Sequence, residues 1–271
     1  MENLDKDRLF LIAVELDLPS LLKFCETNKR ISDVVCKQPF VWVQKLKRDF
    51  KFAISQEDFY KAEAIYKVLY KLQKNPKNYL LSEIFYDGIE TGSLDLVKYV
   101  YQYFENVYKK MMDYRIEEFF TKAVETGDDN IIDFFIAKGA KEFDTAFLIA
   151  VKNNNFKLVQ KFLSKDEDIL NKALNEAAKN GNMEIVKYLL DNGADDIEMG
   201  LQGAAEGGHE DLVDFFIKKG ANNWNLALTD AILGGNKNIV AILLPKVDRD
   251  YIRFARRQAF SKPDILALFP K

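Results

Sequence analysis

Hydrophobic residues recur along this chain with a period of 27 residues, in units that begin at Ile116, Phe143, Leu170, Ile197, Trp224 and, less regularly, Tyr251. Each unit contains an alanine, a glycine or asparagine four residues later, and then two apolar pairs. The alanines are Ala123, Ala150, Ala177, Ala204 and Ala231, and the turn residues are Gly127, Asn154, Gly181, Gly208 and Gly235. A repeat of this length predicts a solenoid, because each unit can bury its apolar face only against its neighbours. Solenoids present extended surfaces, so the pattern favours a binding protein.

The spacing within one unit predicts two short helices. Leu174 and Ala177 lie on one helical face, and Gly181 follows where a left-handed residue ends a helix. Asn182 is a suitable N-cap for a second helix, which Gly193 ends. The sequence therefore predicts an all-α protein in which packing between units supplies most of the order.

Composition and charge narrow the partners. The chain is 48% hydrophobic and 30% charged, as in globular proteins, and its longest apolar runs of six residues are too short to cross a bilayer. Residues 81–271 carry a net charge of −7, so we expect a target protein with a basic surface and no nucleic acid. Cys25 and Cys36 are expected to be buried thiols, and the protein to be a cytoplasmic monomer.

The segments Ala177–Asn182, Ile185–Leu190 and Gly193–Asp195 resemble the ankyrin repeat, as do their counterparts Ala204–His209 and Gly220–Asn222. The resemblance covers residues 81–271 and implies six to seven helix-turn-helix units that bind protein. Each unit is shorter than the usual ankyrin repeat, and the missing residues fall between Gly193 and Met199. We therefore expect no inter-repeat β-hairpin. An eight-residue extension lies near Tyr103–Asp113, in the first unit.

The first fifty residues have a different pattern. Leu9–Leu16 and Leu18–Leu22 predict two short helices, Asn28 could start a third, and Trp42 follows. This string resembles an F-box, and in particular the F-box-like segments that precede ankyrin arrays in large DNA viruses. The resemblance implies docking to the Skp adaptor of a cullin-RING ubiquitin ligase, in a host cytoplasm if the chain is viral. The implied contact residues are Leu9, Ile12, Leu16, Leu18, Pro19 and Leu21.

No residue pattern predicts an active site. His209, the only histidine, occupies a column otherwise filled by Asp128, Asn155, Asn182 and Asn236, which indicates an N-cap position. The glycines match neither a P-loop nor a dinucleotide-binding fingerprint. We expect no catalytic residue, metal or cofactor.

Variable first-helix and junction positions predict the target-binding surface. By the ankyrin geometry these residues are Asn153, Glu176, Asn180, Glu206, Asn223 and Asp230. Four glycines are expected to keep a shallow trough open beside them: Gly200, Gly203, Gly207 and Gly234.

These expectations define three parts: an F-box-like module (1–50), a connecting amphipathic helix (51–80) and an ankyrin array with terminal caps (81–271). The expected function is substrate recruitment to a ubiquitin ligase. One alternative is a scaffold or masking protein in which residues 1–50 only cap the solenoid. Another is a decoy that occupies the adaptor.

Overall fold

The computed structural model describes residues 6–26, 32–74 and 81–270, and throughout these ranges the chain forms helices and turns without a β-strand. This agrees with the all-α fold and with the missing inter-repeat hairpin. The chain divides into two compact units, residues 1–141 and 142–271. The F-box-like segment lies within the first unit, and the three-part division expected from the sequence stays a prediction.

Seven α-helices are described in the first unit: α1 (Lys6–Glu15), α2 (Leu18–Glu26), α3 (Pro39–Lys45), α4 (Ala62–Lys74), α5 (Leu81–Glu90), α6 (Leu94–Thr126) and α7 (Asp129–Ala137). Single π-helical turns occupy Ser32–Cys36 and Leu46–Phe50, and Phe59–Lys61 is a 3₁₀ turn. The connecting helix predicted between the two patterns is α4. Asn28 lies outside the described residues, so the helix predicted to start there stays a prediction, and α3 contains Trp42, which was expected to follow that helix.

Basic side chains hold the end of α1 in place. Lys45 is fully buried and donates hydrogen bonds to the carbonyls of Leu16 and Val14, and Arg48 donates to the Val14 carbonyl as well. Cations at the carbonyl end of a helix satisfy its unpaired acceptors and its dipole. Burial lowers the pKa of the Lys45 ammonium, although Asp49, with Oδ2 3.5 Å from Nζ, opposes that shift. Helix α1 is therefore anchored to the rest of its unit.

A disulfide joins Cys25 and Cys36, and the expectation of two buried thiols was wrong. The bond links α2 to the Ser32–Cys36 turn, with a Cα–Cα separation of 6.0 Å. The two cysteines are 11 positions apart in the sequence, and both lie in apolar helical patterns, so the spacing alone does not predict that the turn brings them together. Trp42 packs beside this turn and donates from Nε1 to the Cys36 carbonyl at 2.8 Å.

The extension near Tyr103–Asp113 is helical. Helix α6 runs without interruption for 33 residues, from the N-cap Ser93 to Gly127. It therefore combines the second helix of one repeat with the first helix of the next repeat, where the other repeats have a junction loop.

The second unit contains α8 (Phe143–Lys152), α9 (Phe156–Lys161), α10 (Glu167–Lys179), α11 (Met183–Asp191), α12 (Ile197–Gly207), α13 (Glu210–Lys218), α14 (Trp224–Gly234), α15 (Lys237–Leu243), α16 (Arg249–Gln258) and α17 (Pro263–Leu266). Short 3₁₀ turns follow α15 and α16, at Leu244–Lys246 and Ala259–Ser261. The 27-residue period is preserved in the structure, because α9, α11, α13 and α15 begin at 156, 183, 210 and 237.

The repeated small residues have the predicted roles. All five alanines of the alanine column are fully buried. All five turn residues have positive φ angles, from 54° at Asn154 to 87° at Gly208. This left-handed conformation is accessible to glycine and tolerated by asparagine, which explains the two residue types in the column.

At the junctions between repeats, side chains form the hydrogen bonds that the missing hairpin would have formed. Asn171 Oδ1 accepts from the backbone nitrogens of Asp195 and Asp196 at 2.9 and 3.0 Å. Glu198 occupies the same column one repeat later and accepts from Asn222 and Asn223 at 2.8 and 2.9 Å. At these two junctions, one side chain satisfies backbone N–H groups that a β-hairpin would otherwise pair.

Candidate functional site: the first-helix face

The first-helix face of the second unit brings together three of the acidic residues predicted from the sequence. Glu176 lies on α10, Glu206 on α12 and Asp230 on α14, and all three are half-buried. Lys179 lies among them, with Nζ 2.6 Å from Glu206 Oε1. We call these four residues the acidic cluster.

Burial and the charges within the acidic cluster shift the pKa values of two of its members, Asp230 and Lys179. Burial, and then the charge of Glu206, raise the pKa of Asp230 to about 6, against the opposing effect of Lys179. The hydrogen bond to Glu206 raises the pKa of Lys179, and the charges of Glu176 and Asp230 add to the shift. The cluster therefore contains one ammonium group and three carboxyl groups. Its charge would attract a further positive group from a partner.

An apolar hollow of about 380 Å³ adjoins the acidic cluster, between α8 and α10. Leu148 and Ile149 form its apolar lining. Thr145, Lys152, Lys172 and Glu176 also line it, so Glu176 belongs to both features. Leu148 and Ile149 were not predicted as site residues, because they belong to an apolar stretch that is typical of a buried core, whereas both side chains are half-buried.

Two of the predicted contact residues have structural roles. Asn180 donates from Nδ2 to the carbonyls of Lys152 and Val151 at 3.1 and 3.4 Å, at the end of α8. Asn223 is the N-cap of α14 and accepts from Leu226 N. Asn153 is exposed at the C-cap of α8. The candidate site is therefore best described by the acidic cluster and the apolar hollow.

His209 bonds to a neighbouring repeat instead of capping its own helix. Its side chain makes no N-cap hydrogen bond, and Nε2 lies 3.0 Å from the carbonyl oxygen of Lys179, at the end of α10. Asn236 does the same one repeat later, donating to the carbonyls of Ala205 and Glu206 at 2.8 and 2.7 Å. Lys262 reaches the end of α14 in this way. All five residues of this column occupy N-cap positions, as predicted. The side chains of Asp128, Asn155 and Asn182 also accept an N-cap hydrogen bond, whereas those of His209 and Asn236 do not.

The four glycines do not keep a trough open; they are contact points between helices. A Cβ atom on Gly203 would overlap the backbone carbonyl oxygen of Asn175. The same clash would occur between Gly207 and Lys179 and between Gly234 and Glu206, and a Cβ on Gly200 would enter the Phe216 ring. Gly203, Gly207 and Gly234 therefore allow successive first helices to approach closely, and Gly200 allows close packing of the two helices within one repeat.

The predicted adaptor contacts divide between core and surface. Leu9, Leu18 and Leu21 are buried and pack inside the first unit, Leu16 is half-buried, and only Ile12 and Pro19 are exposed. Two apolar residues that we did not single out are also exposed, Leu11 at 62% and Leu22 at 37%. Helices α1 and α2 contain more apolar residues than the core of the first unit covers. The apolar pattern alone therefore does not show which of these residues are buried and which are exposed.

Comparison with known proteins assigns the repeats. The fold is that of a helical repeat protein, and residues 120–200 match the family model described as ankyrin repeats (3 copies). A search of curated proteins gives no match. These residues are therefore similar to ankyrin repeats, which serve as protein–protein interaction modules in that family.

Two properties of the described residues concern metal binding and membranes. They contain no group of three or more His, Cys, Asp or Glu side chains that could hold a metal ion. None of the helices in these ranges is long and apolar enough to cross a membrane.

Proposed function

We propose that this chain is a non-catalytic adaptor that captures a target protein on its first-helix face and connects that target to a Skp-type adaptor of a cullin-RING ligase. The observation that carries target capture is the apolar hollow beside the acidic cluster. Tethering acts by proximity, because it raises the effective concentration of the target at the site of transfer.

The target segment that fits the first-helix face has an apolar side chain next to a lysine or arginine. Leu148 and Ile149 would contact the apolar side chain. The basic group would join the acidic cluster, where Lys179 leaves the three carboxyl groups incompletely neutralised. An interface with an apolar centre and charged surroundings gains affinity mainly from the buried anchor and specificity from the charges.

A double comparison tests this site. Proximity labelling in the host cell is carried out with the wild-type chain and with a Glu176→Lys, Glu206→Lys, Asp230→Lys variant. The true target should be labelled by the wild-type chain and not by the variant. Glu184→Lys, Asp211→Lys, at exposed positions on the second helices, is the matched charge control. Equal labelling by all three proteins would rule out the first-helix face.

The tether is proposed to use the exposed apolar residues of α1 and α2. The F-box resemblance of residues 9–22 suggests the partner, and Leu11, Ile12 and Leu22 supply apolar surface that the first unit does not cover. Exposed aliphatic side chains on adjacent short helices suit a helical partner groove. The buried Leu9, Leu18 and Leu21 would support this surface from below.

Binding of the full chain to purified Skp adaptor, measured by calorimetry, tests the tether. Leu11→Asp, Ile12→Asp changes only exposed side chains, so it should abolish binding and leave the circular dichroism spectrum unchanged. Leu233→Asp, at a residue 61% exposed in the second unit, is the control and should bind normally. Failure of the wild-type chain to bind would leave the alternative function.

That alternative is a stand-alone ankyrin scaffold or masking protein, in which residues 1–50 stabilise the first unit. The burial of Leu9, Leu18 and Leu21 favours it, because those side chains pack within the unit. In this case the target would still be captured, and Leu9→Asp would unfold the N-terminal helices without affecting any ligase.

A further inference from the structure

Helix α16 presents an unusual surface to solvent. Arg249, Arg253 and Arg257 are spaced four residues apart, so they lie on one face of the helix, and Arg256 flanks them. All four are exposed, and across the described ranges none of them forms an ion pair or hydrogen bond. The opposite face of α16 buries Ala255. We call these four residues the arginine face.

Two exposed aromatic rings accompany the arginine face. Phe254 is 47% exposed on α16, and Phe260, in the following 3₁₀ turn, is 79% exposed. Arginine and aromatic residues are enriched at protein–protein interfaces, where their combined apolar and hydrogen-bonding surface contributes most of the affinity. This composition indicates a docking surface for an anionic partner.

Charge is strongly segregated in the second unit. Residues 237–271 contain eight basic and three acidic side chains, whereas residues 166–230 contain five basic and 14 acidic ones. The acidic repeats next to the arginine face limit the length of anionic surface that can contact it. Helix α16 is only about 15 Å long at 1.5 Å per residue. A short acidic protein segment fits these limits.

One acidic segment of that kind belongs to this chain. Asp166, Glu167 and Asp168 are consecutive and exposed at the start of α10. Asp166 caps the helix, but Glu167 and Asp168 have no partner among the described residues. By contrast, Asp196 and Glu198 at the next junction already accept backbone hydrogen bonds.

We propose that the arginine face of α16 docks on the Asp166–Asp168 segment of a second copy of this chain. Guanidinium groups bind carboxylates in a bidentate geometry, and four unpaired arginines opposite three adjacent carboxylates supply the complementary charge. The two surfaces are different, so the contact is head-to-tail and can extend to further copies. This association departs from the monomer expected from the sequence.

A charge-swap experiment tests the proposal. The basic-to-acidic variant is Arg253→Glu, Arg257→Glu, and the acidic-to-basic variant is Glu167→Lys, Asp168→Lys, which keeps the capping Asp166. Each variant alone should be monomeric in sedimentation velocity at concentrations where the wild-type chain associates. An equimolar mixture of the two should associate again, because the intact arginine face of one variant meets the intact acidic segment of the other, and the introduced glutamates meet the introduced lysines. Glu184→Lys, Asp211→Lys is the control and should associate like the wild type.

Salt dependence supplies a second readout. Raising the ionic strength from about 50 mM to about 500 mM should weaken the wild-type association by at least about tenfold, since exposed ion pairs are screened. A wild-type chain that stays monomeric at low salt would overturn the proposal. So would a mixture of variants that fails to associate, or binding of the arginine face to anionic vesicles or oligonucleotides without self-association.

Discussion

Replacing Gly203 by alanine tests the close approach of successive first helices. In an open helical position the change would stabilise the protein by about 0.5–1 kcal/mol, because alanine loses less backbone entropy on folding than glycine. At Gly203 the new Cβ would overlap the carbonyl oxygen of Asn175, a backbone atom that cannot move by rotating a side chain. Helices α10 and α12 would have to separate.

The magnitude follows from comparing the two effects. Forcing an extra methyl group into a packed contact costs about 1–3 kcal/mol, which exceeds the entropic gain. The expected net destabilisation is about 1–2 kcal/mol, which lowers the urea midpoint by about 0.5–1 M at a slope near 2 kcal/mol per M. The loss should appear in the second unit, where α10, α12 and α14 pack together.

Gly88 provides the matched control. It lies in helix α5, and a Cβ atom there would meet no atom within 4 Å. Gly88→Ala should therefore stabilise the first unit by about 0.5–1 kcal/mol. Hydrogen exchange measured by mass spectrometry across a urea series reads each unit separately. If Gly203→Ala stabilised the second unit as Gly88→Ala does the first, the role assigned to the helical glycines would be refuted.

Three further changes probe other parts of the structure. Reducing the Cys25–Cys36 bond should lower the stability of the first unit by about 3 kcal/mol, the loop-closure value for its 11-residue separation, and Cys25→Ala, Cys36→Ala should become insensitive to reductant in thermal unfolding. Because the pKa of Asp230 is raised to about 6 from 3.8, this residue favours folding when protonated and less so as the pH rises through 6. Asp230→Asn should therefore stabilise the second unit at neutral pH but not near pH 4, and equal effects at both pH values would contradict the shift. Asn236→Ala should cost about 1–3 kcal/mol by leaving two carbonyls unpaired, whereas Asn238→Ala, which loses only an exposed bond to Glu210, should be nearly neutral in the same assay.

The sequence was sufficient to predict the features that depend on local pattern. Helix pairs, the buried alanine column and the left-handed turn residues all follow from spacing within one 27-residue unit. Even the absence of the hairpin follows from unit length. These features are local because each repeat packs only on its neighbours.

Features that depend on distant contacts were missed or misassigned. The Cys25–Cys36 bond depends on the geometry of the Ser32–Cys36 turn, which the spacing of the two cysteines in the sequence does not reveal. Leu9 and Leu11 are both apolar residues of α1, yet one is buried and the other exposed, because the surrounding helices decide which face is covered. In the candidate site, the acidic residues were identified from their variability between repeats, whereas the apolar hollow depends on how α8 and α10 pack.

A pairing between two repeat positions explains why one column has two roles. Asn180 lies at the end of the first helix α10, and its side chain donates a hydrogen bond to the preceding repeat. Asn182 is therefore free to cap the second helix of its own repeat, α11. In the next two repeats the same position is glycine, at Gly207 and Gly234, and its missing side chain leaves space that a residue two positions later fills. His209 and Asn236 use this space to reach the preceding helix, at the cost of their own N-cap. Each of these three repeats thus has one polar side chain that bonds to the end of the preceding first helix, and the presence or absence of the glycine determines which position supplies it. The residues proposed for target recognition, Glu176, Glu206 and Asp230, lie at other positions.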